Sequence, residues 1–445
     1  MTPKKNTVHS VTVDEINDLG YGVCRVDGAV CFIKDGVTGD RGDVRIIKSA
    51  SSYCVGKWES LIAPSGLRRD PICAAYPACG GCAFGRIDYA EEAKIKTDHV
   101  RRTFDRAGLS DVKIVSLDPA GYRAGYRNKA LIPMARDRSG RIYPGFYAES
   151  SHRAVPFDVC ALTPPEFSRI AHDFARFMEE RGILPYDETD GSGTVRHLYL
   201  RRVSSGEMMI CAVLKTEEGF DRDGFRDFAA SRCADSVYIN LQPDPNNVIL
   251  GERCLLVAGK PRLTDSLCGL TFEISPLSFY QVNHDCAEAI YKKAAELAEL
   301  KKTDVLADLY CGAGTIGLTM ARSVKSVIGV ETVPQAVENA RKNAALNGIS
   351  NARFICADAA EALASLSPTV AVIDPPRKGT TPAFIDLIAK STADRVVYVS
   401  CNPATLARDI SFFCQNGFVP GAAYLYDMFP RTSHVETVVL MSRGG

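Results

Sequence analysis

The sequence has no excess of charge of either sign. Its 53 lysine and arginine residues balance 53 aspartate and glutamate residues, so the formal net charge is zero. Such a chain has no long-range electrostatic attraction for nucleic acid, and any nucleic-acid binding must depend on local basic patches. The hydrophobic fraction of 46% and the charged fraction of 24% are those of an ordinary globular protein. A length of 445 residues predicts two or three domains, since single cores rarely grow so large.

Long apolar segments are also missing. No apolar run reaches the roughly 18 residues that a membrane helix needs. The first ten residues are polar, contain Lys4 and Lys5, and lack the apolar core of a secretory signal. We therefore expect a cytoplasmic protein without a membrane partner. In that compartment its 16 cysteines are expected to be buried thiols, metal ligands or catalytic groups rather than disulfides.

The first part of the chain, residues 1–62, has the pattern of a small β-barrel. Short apolar runs alternate with glycine and aspartate turns between residues 8 and 61. Period-two strands at this spacing predict a five-stranded barrel of the OB-like type. Barrels of that kind often bind oligonucleotides on one face, although a fold alone does not determine a function.

A compact cysteine loop follows the predicted barrel. Cys73, Cys79 and Cys82 lie within ten residues, among glycines and prolines that let the backbone wrap a metal centre. Zinc would usually need a second CxxC pair or nearby histidines, and the loop has neither. An iron–sulfur cluster needs a fourth ligand, which can come from far along the chain, and the candidates are Cys160 and Cys54. The loop therefore predicts a metal centre and favours iron–sulfur over zinc.

Residues 63–275 are expected to form a β-rich central domain that carries this centre. A helical segment over 89–108 precedes a basic, aromatic stretch at 122–129, and the region near 90–120 is a candidate to pack on the last domain. The basic stretch suits stacking and phosphate contacts with RNA, and it suits a solvated basic face equally well. Residues 195–274 are strand-rich and predict an antiparallel sheet.

The final part, residues 276–445, changes to alternating helices and strands. Apolar runs at 305–310, 326–330, 352–355, 370–373 and 396–399 predict the strands of a doubly wound, Rossmann-like α/β sheet.

A nucleoside site is predicted at the carboxyl ends of these strands. The first strand runs into a GxGxxG motif at 312–317, whose glycines let the backbone approach a ligand. The second strand ends in Glu331, where a carboxylate can accept both ribose hydroxyls, and the third ends near Asp358, a suitable acceptor for an adenine amino group. NAD and S-adenosylmethionine both fit these features. The DPPR motif at 374–377 resembles the motif with which adenosylmethionine-dependent enzymes hold a planar nitrogenous substrate.

Cys401 lies at the carboxyl end of the last predicted strand. The strand is followed by Asn402 and Pro403, where a helix is expected to begin. Ligands and reactive groups gather at such strand ends, and a helix N-terminus would favour the thiolate. Taken alone, the residue is more simply explained as a small core side chain.

In their order along the chain, these motifs resemble those of the bacterial RNA uracil-5-methyltransferase family, and the similarity covers nearly the whole length. The matching features are a barrel of the TRAM type, the cysteines, SFYQVN at 278–283, DLYCGAG at 308–314, DPPRKG at 374–379, SCNP at 400–403 and HVET at 434–437. So many motifs in the same order make chance agreement improbable.

The resemblance implies a site and a substrate. The implied ligands of a 4Fe–4S cluster are Cys73, Cys79, Cys82 and Cys160. The implied contacts to S-adenosylmethionine are Gln281, Tyr310, Glu331 and Asp374. Cys401 is the implied nucleophile and Glu436 the implied base. Family members with both barrel and cluster typically modify 23S ribosomal RNA, whereas the tRNA-modifying members resemble only the later part of this chain. Tyr280 and residues 431–433 are expected to influence substrate preference.

The implied roles agree with the chemistry of uracil. C5 is a poor nucleophile, and a thiolate that adds to C6 makes it enolate-like, so that it can attack the methyl group of a sulfonium. A base must then remove the C5 proton, and burial of Glu436 would raise its pKa toward the working pH. The target base is expected to be flipped out of its stack.

Four other functions remain open at this point. They are uracil methylation of tRNA, 5-methylcytosine formation in RNA, RNA binding without catalysis, and radical chemistry at the cluster. The spacing of five residues between Cys73 and Cys79 disfavours the radical enzyme, whose loop usually reads CxxxCxxC. We expect a monomer that acts on RNA, with 23S ribosomal RNA as the substrate.

Overall fold

The computed structural model describes residues 2–119, 121 and 123–444. These residues form three large β-sheets and one small hairpin. Tyr122, the first residue of the predicted basic stretch, lies outside the described residues.

The N-terminal sheet has six strands in the order β1-β5-β6-β4-β3-β2. The strands are Val8–Thr12 (β1), Glu15–Ile16 (β2), Gly22–Val26 (β3), Ala29–Ile33 (β4), Arg41–Ser49 (β5) and Tyr53–Ala63 (β6). The prediction of five strands was wrong because β2 has only two residues, too few to show a period of two. Cys24, Cys31 and Cys54 are neighbours across three strands and lie in the small core of this sheet.

The next two elements belong to the C-terminal part of the structure rather than to the central sheet. They are Tyr89–Arg106 (α1) and Ile114–Asp118 (β7). Strand β7 pairs at the far edge of the C-terminal sheet, and Val100 and Phe104 of α1 are buried in the core beneath that sheet. The helical segment predicted over 89–108 is therefore present, and it packs where the sequence suggested.

The central sheet has seven strands in the order β10-β9-β8-β11-β12-β13-β14. Its elements are Lys129–Arg136 (β8), Ile142–Tyr147 (β9), Ala154–Pro156 (β10), Pro165–Glu180 (α2), Val195–Arg202 (β11), Met208–Leu214 (β12), Arg222–Ser231 (α3), Ser236–Leu241 (β13) and Arg253–Gly259 (β14). The prediction of a purely antiparallel sheet was wrong at one pair. Strands β12 and β13 run parallel, and α3 forms the crossover that a parallel pair requires.

Strand β12 connects the central sheet to the rest of the molecule. All seven of its residues are buried, so both faces of the strand are covered. Ile210 and Ala212 face the core that contains α2, whereas Met209 and Cys211 face the core shared with the C-terminal sheet. Alternate side chains of a strand point to opposite faces, and an unbroken apolar run is therefore expected where both faces are buried.

The C-terminal region begins with a hairpin and continues as an eight-stranded sheet. Its elements are Leu263–Leu267 (β15), Leu270–Ile274 (β16), His284–Leu297 (α4), Val305–Leu309 (β17), Thr315–Met320 (α5), Ser326–Glu331 (β18), Pro334–Leu346 (α6), Ala352–Cys356 (β19), Ala359–Leu363 (α7), Val370–Ile373 (β20), Pro382–Lys390 (α8), Arg395–Ser400 (β21), Pro403–Gln415 (α9), Phe418–Tyr426 (β22) and Glu436–Arg443 (β23). The strand order is β19-β18-β17-β20-β21-β23-β22-β7. The predicted doubly wound α/β sheet is confirmed.

Strand direction explains where a site can form. Strands β17 to β21 are parallel, so their carboxyl ends share one edge of the sheet. Strand β23 is antiparallel to β21, and its first residues therefore lie at that same edge. Among the helices of the described chain, none is long and apolar enough to cross a membrane.

Candidate active site at the carboxyl edge of the C-terminal sheet

Cys401 and Glu436 are brought together by the pairing of β21 with β23. Ser400, the last residue of β21, is opposite Thr437, the second residue of β23. One step further along each strand come Cys401 and Glu436, so the thiol and the carboxyl lie at the same level although 35 residues separate them in sequence. Glu436 is buried and Cys401 is half-buried.

The electrostatics of Cys401 differ from the prediction. The pKa of the thiol is raised to about 11, mainly by burial and also by the carboxyls of Glu436 and Asp374, while the guanidinium of Arg377 lowers it. The helix predicted at Pro403 is present as α9. Its N-terminus favours the thiolate, whereas the loss of solvation and the two neighbouring acids favour the thiol.

Asn402 joins the Cys401 strand to the DPPR loop. Its side-chain oxygen caps α9 by accepting hydrogen bonds from the backbone nitrogens of Ala404 (3.0 Å) and Thr405 (3.4 Å). Its amide nitrogen donates to the carbonyl of Arg377 at 3.1 Å. Asparagine is suited to this double task because it carries both an acceptor and a donor. The loop after β20 is thereby fixed beside the thiol.

Two acids at this edge have raised pKa values. The pKa of Glu436 is raised to about 8, mainly by burial and also by the carboxyl of Asp374, while Arg377 lowers it. Burial also raises the pKa of Asp374 to about 7. Arg377 donates toward Nε2 of His434 at 3.3 Å, and burial and this cation lower the pKa of His434. Clustered acids with shifted pKa values in one place are typical of catalytic sites.

The glycine motif forms a tight loop between β17 and α5. Gly312 and Gly314 have φ angles of 53° and 79°, in the left-handed region that favours glycine. A side chain on Gly314 would also meet the ring of Phe354 at 3.0 Å. Tyr310, at the start of the loop, has a φ angle of 72° and so occupies the same region without being glycine. Left-handed backbone outside glycine is strained and concentrates at functional sites.

Glu331 ends β18 at this edge, whereas the next strand, β19, ends at Cys356 and Asp358 follows two residues later, rather than ending the strand as predicted. The carboxylate of Glu331 accepts hydrogen bonds from the backbone nitrogen of Gly312 at 3.1 Å and from that of Val333 at 2.9 Å. It therefore connects the glycine loop to the start of α6. Asp358 caps α7 by accepting from the nitrogen of Ala360 at 2.8 Å, and its side chain is exposed.

Gln281 enters the site from the segment before α4. Its backbone carbonyl accepts a hydrogen bond from the side chain of Asn128 at 2.9 Å. Burial raises the pKa of the Tyr291 phenol, and the carboxyl of Asp374 raises it as well. Hydrogen bonds with Thr315 and Gln281 lower this pKa. Through Tyr291, the SFYQVN motif therefore lies near Thr315, the first residue of α5 after the glycine loop, and near Asp374.

Asp308 belongs to the site but was assigned no role from the sequence. It is buried inside β17, and its Oδ2 accepts a hydrogen bond from the nitrogen of Gly317 at 2.8 Å. Burial raises its pKa to about 7, and Asp374 and Glu331 contribute. Its Oδ1 is buried without a hydrogen-bond partner in the described part of the chain. A lone acid within an apolar strand was the available signal, since buried polar groups rarely occur without a ligand or structural purpose.

The four predicted cluster cysteines lie around one cavity of about 270 Å³. Cys73, Cys79, Cys82 and Cys160 all line it and are half-buried. Burial and the neighbouring cysteines raise the pKa values of Cys79 and Cys82. Cys54, the other candidate ligand, lies instead in the core of the N-terminal sheet. Over residues 2–119, 121 and 123–444, no three histidine, cysteine or acidic side chains converge closely enough to hold a metal ion.

Two expectations about substrate contact change. In the basic stretch, Tyr126 is buried and donates to the carbonyl of Pro430 at 3.0 Å, and Arg127 lines the cysteine cavity. These two residues do not form a solvent-facing RNA surface. Arg431 was expected to influence substrate preference, but its guanidinium donates to the carbonyl of Ile87 at 2.8 Å and so faces the protein interior.

Comparisons with known proteins agree with this architecture. A general methyltransferase-domain model matches residues 300–375, and the tRNA (uracil-5-)-methyltransferase model matches residues 362–444. A Bacillus cereus protein described as an uncharacterized RNA methyltransferase is 35% identical, covering 100% of this chain and 98% of its own. A Clostridium acetobutylicum protein with the same description is 34% identical over 99% and 98%. The crystal structure of Pyrococcus abyssi tRNA (uracil-54, C5)-methyltransferase in complex with S-adenosyl-L-homocysteine has a TM-score of 0.78 and 26% identity, covering 97% of this chain and 100% of that one.

The fold, the glycine loop and the acids at successive strand ends define a Rossmann-like methyltransferase. The chain belongs to the RNA uracil-5-methyltransferase family. It is therefore an RNA (uracil-5-)-methyltransferase, an enzyme class that depends on S-adenosylmethionine, and the resemblance drawn from its motifs is confirmed.

The Pyrococcus structure corrects one expectation. The tRNA-modifying members were expected to resemble only the later part of this chain. A protein named for its tRNA substrate instead aligns with 97% of it, which includes the N-terminal and central sheets. The presence of those two parts therefore does not by itself distinguish a ribosomal RNA substrate from tRNA.

Proposed function

We propose that the protein methylates C5 of a specific uridine in 23S ribosomal RNA through a covalent bond between Cys401 and C6 of the base. The observation that carries the proposal is the pairing that brings Cys401 and Glu436 to one level beside Asp374. A thiol and a buried carboxyl on adjacent strands can act on C6 and C5, which are neighbouring atoms of one ring. S-adenosylmethionine, when bound, supplies an electrophilic methyl group.

The proposed reaction begins with covalent addition of the enzyme to the base. The Cys401 sulfur bonds to C6, and the electron pair of the C5–C6 double bond moves toward O4 as an enolate. C5 then bonds to the methyl carbon, and S-adenosylhomocysteine leaves with the electron pair of the broken bond. The carboxylate of Glu436 removes the C5 proton, the double bond re-forms, and the Cys401 thiolate is expelled from C6.

The pKa values of the site fit these roles. A carboxylate with a pKa of about 8 is a stronger base than an ordinary glutamate, and it still ionises near neutral pH. The thiol of Cys401, with a pKa of about 11, is protonated in the free enzyme. Its proton must therefore leave as the sulfur attacks, and the neighbouring carboxyl of Asp374 is placed to accept it, which leaves Glu436 free to act as the base at C5. Arg377 faces the same groups and stabilises negative charge that develops there.

The glycine loop and the acids near the strand ends are the parts of the chain that would hold S-adenosylmethionine. We propose that Glu331 binds the ribose, Asp358 the adenine, and Gln281, Tyr310 and Asp374 the rest of the cofactor. The unpartnered buried Oδ1 of Asp308 beside Asp374 and the left-handed loop after β17 support a polar ligand there. Glycines in this loop leave the backbone open to a bound nucleoside.

The N-terminal sheet offers a surface for RNA. We propose that residues 1–62 bind RNA, residues 63–275 carry the cysteine site and residues 276–445 catalyse methylation. Edge-to-face contacts join Tyr21 to Phe32 and Phe32 to Tyr53, with ring centroids 6.5 and 5.8 Å apart. The Nζ of Lys48 lies 5.5 Å from the ring of Tyr53. Aromatic rings beside lysines are the usual means of holding unpaired bases and their phosphates.

We further propose a 4Fe–4S cluster on Cys73, Cys79, Cys82 and Cys160. One cavity collects all four thiols from two distant parts of the chain, which supports a shared ligand. A single ion needs its ligands around one point, whereas a multinuclear cluster spaces its thiolates further apart. The cavity therefore suits a cluster although no single-ion site is found among the described residues. Bound there, the cluster would cross-link the loop at 73–82 to the region of Cys160.

Replacing Cys82 with serine is expected to remove the cluster and to weaken RNA binding. Protein purified without oxygen should contain about four iron atoms per chain, and the variant should lose most of them. Thermal unfolding should shift to lower temperature, because a cross-link between distant segments is lost. The control is Cys233→Ser, an exposed cysteine outside the cavity. Iron loss with unchanged melting and unchanged RNA affinity would count against a structural or RNA-positioning cluster.

A second candidate substrate is tRNA, which the likeness to the Pyrococcus enzyme favours. Support for 23S ribosomal RNA comes from the motif resemblance, in which a barrel and a cluster occur together. Formation of 5-methylcytosine in RNA also uses thiolate addition to C6 and remains an alternative. These possibilities differ in the RNA and the base that carry the methyl group.

Mapping of modified nucleosides in a deletion strain separates the candidates. We expect 5-methyluridine to disappear from one or more positions of 23S ribosomal RNA, with tRNA and 5-methylcytosine unchanged. The purified enzyme should then restore the modification on a 23S transcript, and a transcript with cytidine at the target should stay unmethylated. Loss from tRNA alone would make the second candidate correct.

A further inference from the structure

The segment between β22 and Glu436 is held by side chains from distant parts of the chain. It spans residues 427–435 and includes His434. Asp427, at its start, is buried and accepts hydrogen bonds from the hydroxyl of Tyr89 and from Nζ of Lys96, both at 2.9 Å. Asn283 donates to the carbonyl of Met428 at 3.1 Å. The first half of the segment is thus anchored to α1 and to the SFYQVN motif.

Arg431 makes the largest set of these contacts. Its backbone nitrogen donates to Oε1 of Glu92 at 2.6 Å, and its guanidinium donates to the carbonyl of Ile87 at 2.8 Å. Its own carbonyl accepts from the backbone nitrogens of Ala83 at 2.8 Å and Phe84 at 3.2 Å. With a φ angle of 71°, the residue lies in the left-handed region, where the chain turns toward His434 and Glu436.

The cysteine loop therefore rests directly on the segment that leads to Glu436. Ala83 and Phe84 follow Cys82 without a break, and both donate to the same carbonyl of Arg431. The hydroxyl of Tyr126, next to a residue of the cysteine cavity, donates to the carbonyl of Pro430. Among the described residues, the contacts of Arg431 are with Ala83, Phe84, Ile87 and Glu92, and none is with Cys401 or the glycine loop.

We propose that Arg431 is a positioning residue, which fixes the approach to β23 and thereby sets where the Glu436 carboxyl stands relative to Cys401. The proposal rests on the proposed function, because it takes Glu436 as the base. Only four residues lie between Arg431 and Glu436, so a shift of the turn at Arg431 would also move Glu436. Cys401 directly follows β21 and precedes the Asn402 cap, and the recorded hydrogen bonds of Arg431 within the described chain involve neither of them.

The Arg431→Asn variant distinguishes the effect of the guanidinium from the effect of the backbone turn. Asparagine tolerates left-handed φ angles, so the turn is preserved while the guanidinium is lost. We expect kcat to fall by about 10²-fold, since misplacement of a reacting group by about 1 Å has effects of that size. The KM for S-adenosylmethionine should stay within about twofold, because the contacts of Arg431 lie outside the cofactor pocket.

A second readout distinguishes a misplaced base from general damage. Cys401 should still add to uracil while proton removal slows, so a covalent enzyme–RNA adduct should accumulate on denaturing gels. Arg431→Lys keeps the charge beside Glu92 but not the planar fork, and it should show a smaller loss and less adduct. A variant that does not unfold cooperatively on heating is not properly folded. If Arg431→Asn behaves in that way, Arg431→Lys is used for the test in its place. Parental kcat without adduct in the tested variant would overturn the proposal.

Arg443→Ala is the matched control. Arg443 ends the same strand, and its guanidinium also donates to backbone carbonyls, those of Ala389, Ala393 and Ser391. It lies seven residues from Glu436, about 23 Å along the strand. Adduct in this control would mean that any loosening of β23 has the effect, and the proposal would fail. If Glu436→Gln forms the adduct and Arg431→Asn does not, the positioning role of Arg431 is refuted and the proposed function stands. If Glu436→Gln forms no adduct, the proposed function itself is refuted.

Discussion

Replacing Cys401 with alanine is expected to abolish methylation while leaving S-adenosylmethionine binding unchanged. Without the sulfur, C5 of uracil stays a poor nucleophile, and no other thiol of the described chain adjoins both Glu436 and Asp374. We expect the rate to fall by ~10³-fold or more, which corresponds to about 4 kcal/mol of activation free energy. Single-turnover transfer of a tritiated methyl group to RNA measures the rate, and calorimetry measures cofactor affinity.

The control for this prediction is Cys414→Ala. Cys414 lies in α9, the helix that follows Cys401, and it is exposed near the helix end. Its loss should leave the rate within about twofold, as is usual for surface substitutions. If Cys401→Ala retains more than a few per cent of the parent rate, covalent catalysis is wrong. If it also loses cofactor binding, the thiol has a structural role instead.

The positions of most strand-end residues could be predicted from the sequence. In parallel sheets, apolar runs between helical segments mark the strands, and their carboxyl ends share one edge. Glu331, Asp374 and Cys401 therefore had to lie near one another once the strands were recognised. The strand predicted at 370–373 has the same bounds in the structure.

Glu436 could not be placed in this way. Its position depends on the insertion of β23 between β21 and β22 in the antiparallel direction, and no local pattern encodes such an order. Only the family resemblance connected it to Cys401. The same holds for β7, which pairs with a strand some 300 residues later in the sequence. Long-range pairing is decided by the whole core rather than by periodicity.

The expectation that a helix N-terminus favours the Cys401 thiolate left out larger opposing effects. A helix N-terminus contributes roughly 0.3–1 kcal/mol to a nearby charge. Burial of an ionisable group shifts its pKa by up to 3–5 units, at 1.36 kcal/mol per unit, and here two acids add to it. Burial is a property of the tertiary structure, so it could not be weighed from the residues alone.

Replacing Glu436 with glutamine is expected to trap the enzyme on its RNA. Glutamine has nearly the same shape but cannot accept the C5 proton. Cys401 should still add to C6 and the methyl group should still be transferred, after which the reaction stops before elimination. Turnover should fall by ~10²- to 10⁴-fold, the usual contribution of a general base. The enzyme–RNA adduct should survive denaturing electrophoresis.

The label in the trapped band identifies the blocked step. With a tritiated methyl donor, the adduct should be radioactive, because methyl transfer precedes proton removal. An unlabelled adduct would place Glu436 between the addition of Cys401 and methyl transfer. The absence of any adduct would instead assign Glu436 to removing the proton of the Cys401 thiol, to which its pKa of about 8 is also suited. The double variant Cys401→Ala with Glu436→Gln should give no band at all. Normal turnover of the Glu436 variant would show that another group removes the proton, and the buried, half-ionised carboxyl of Asp374 would then be the next residue to test.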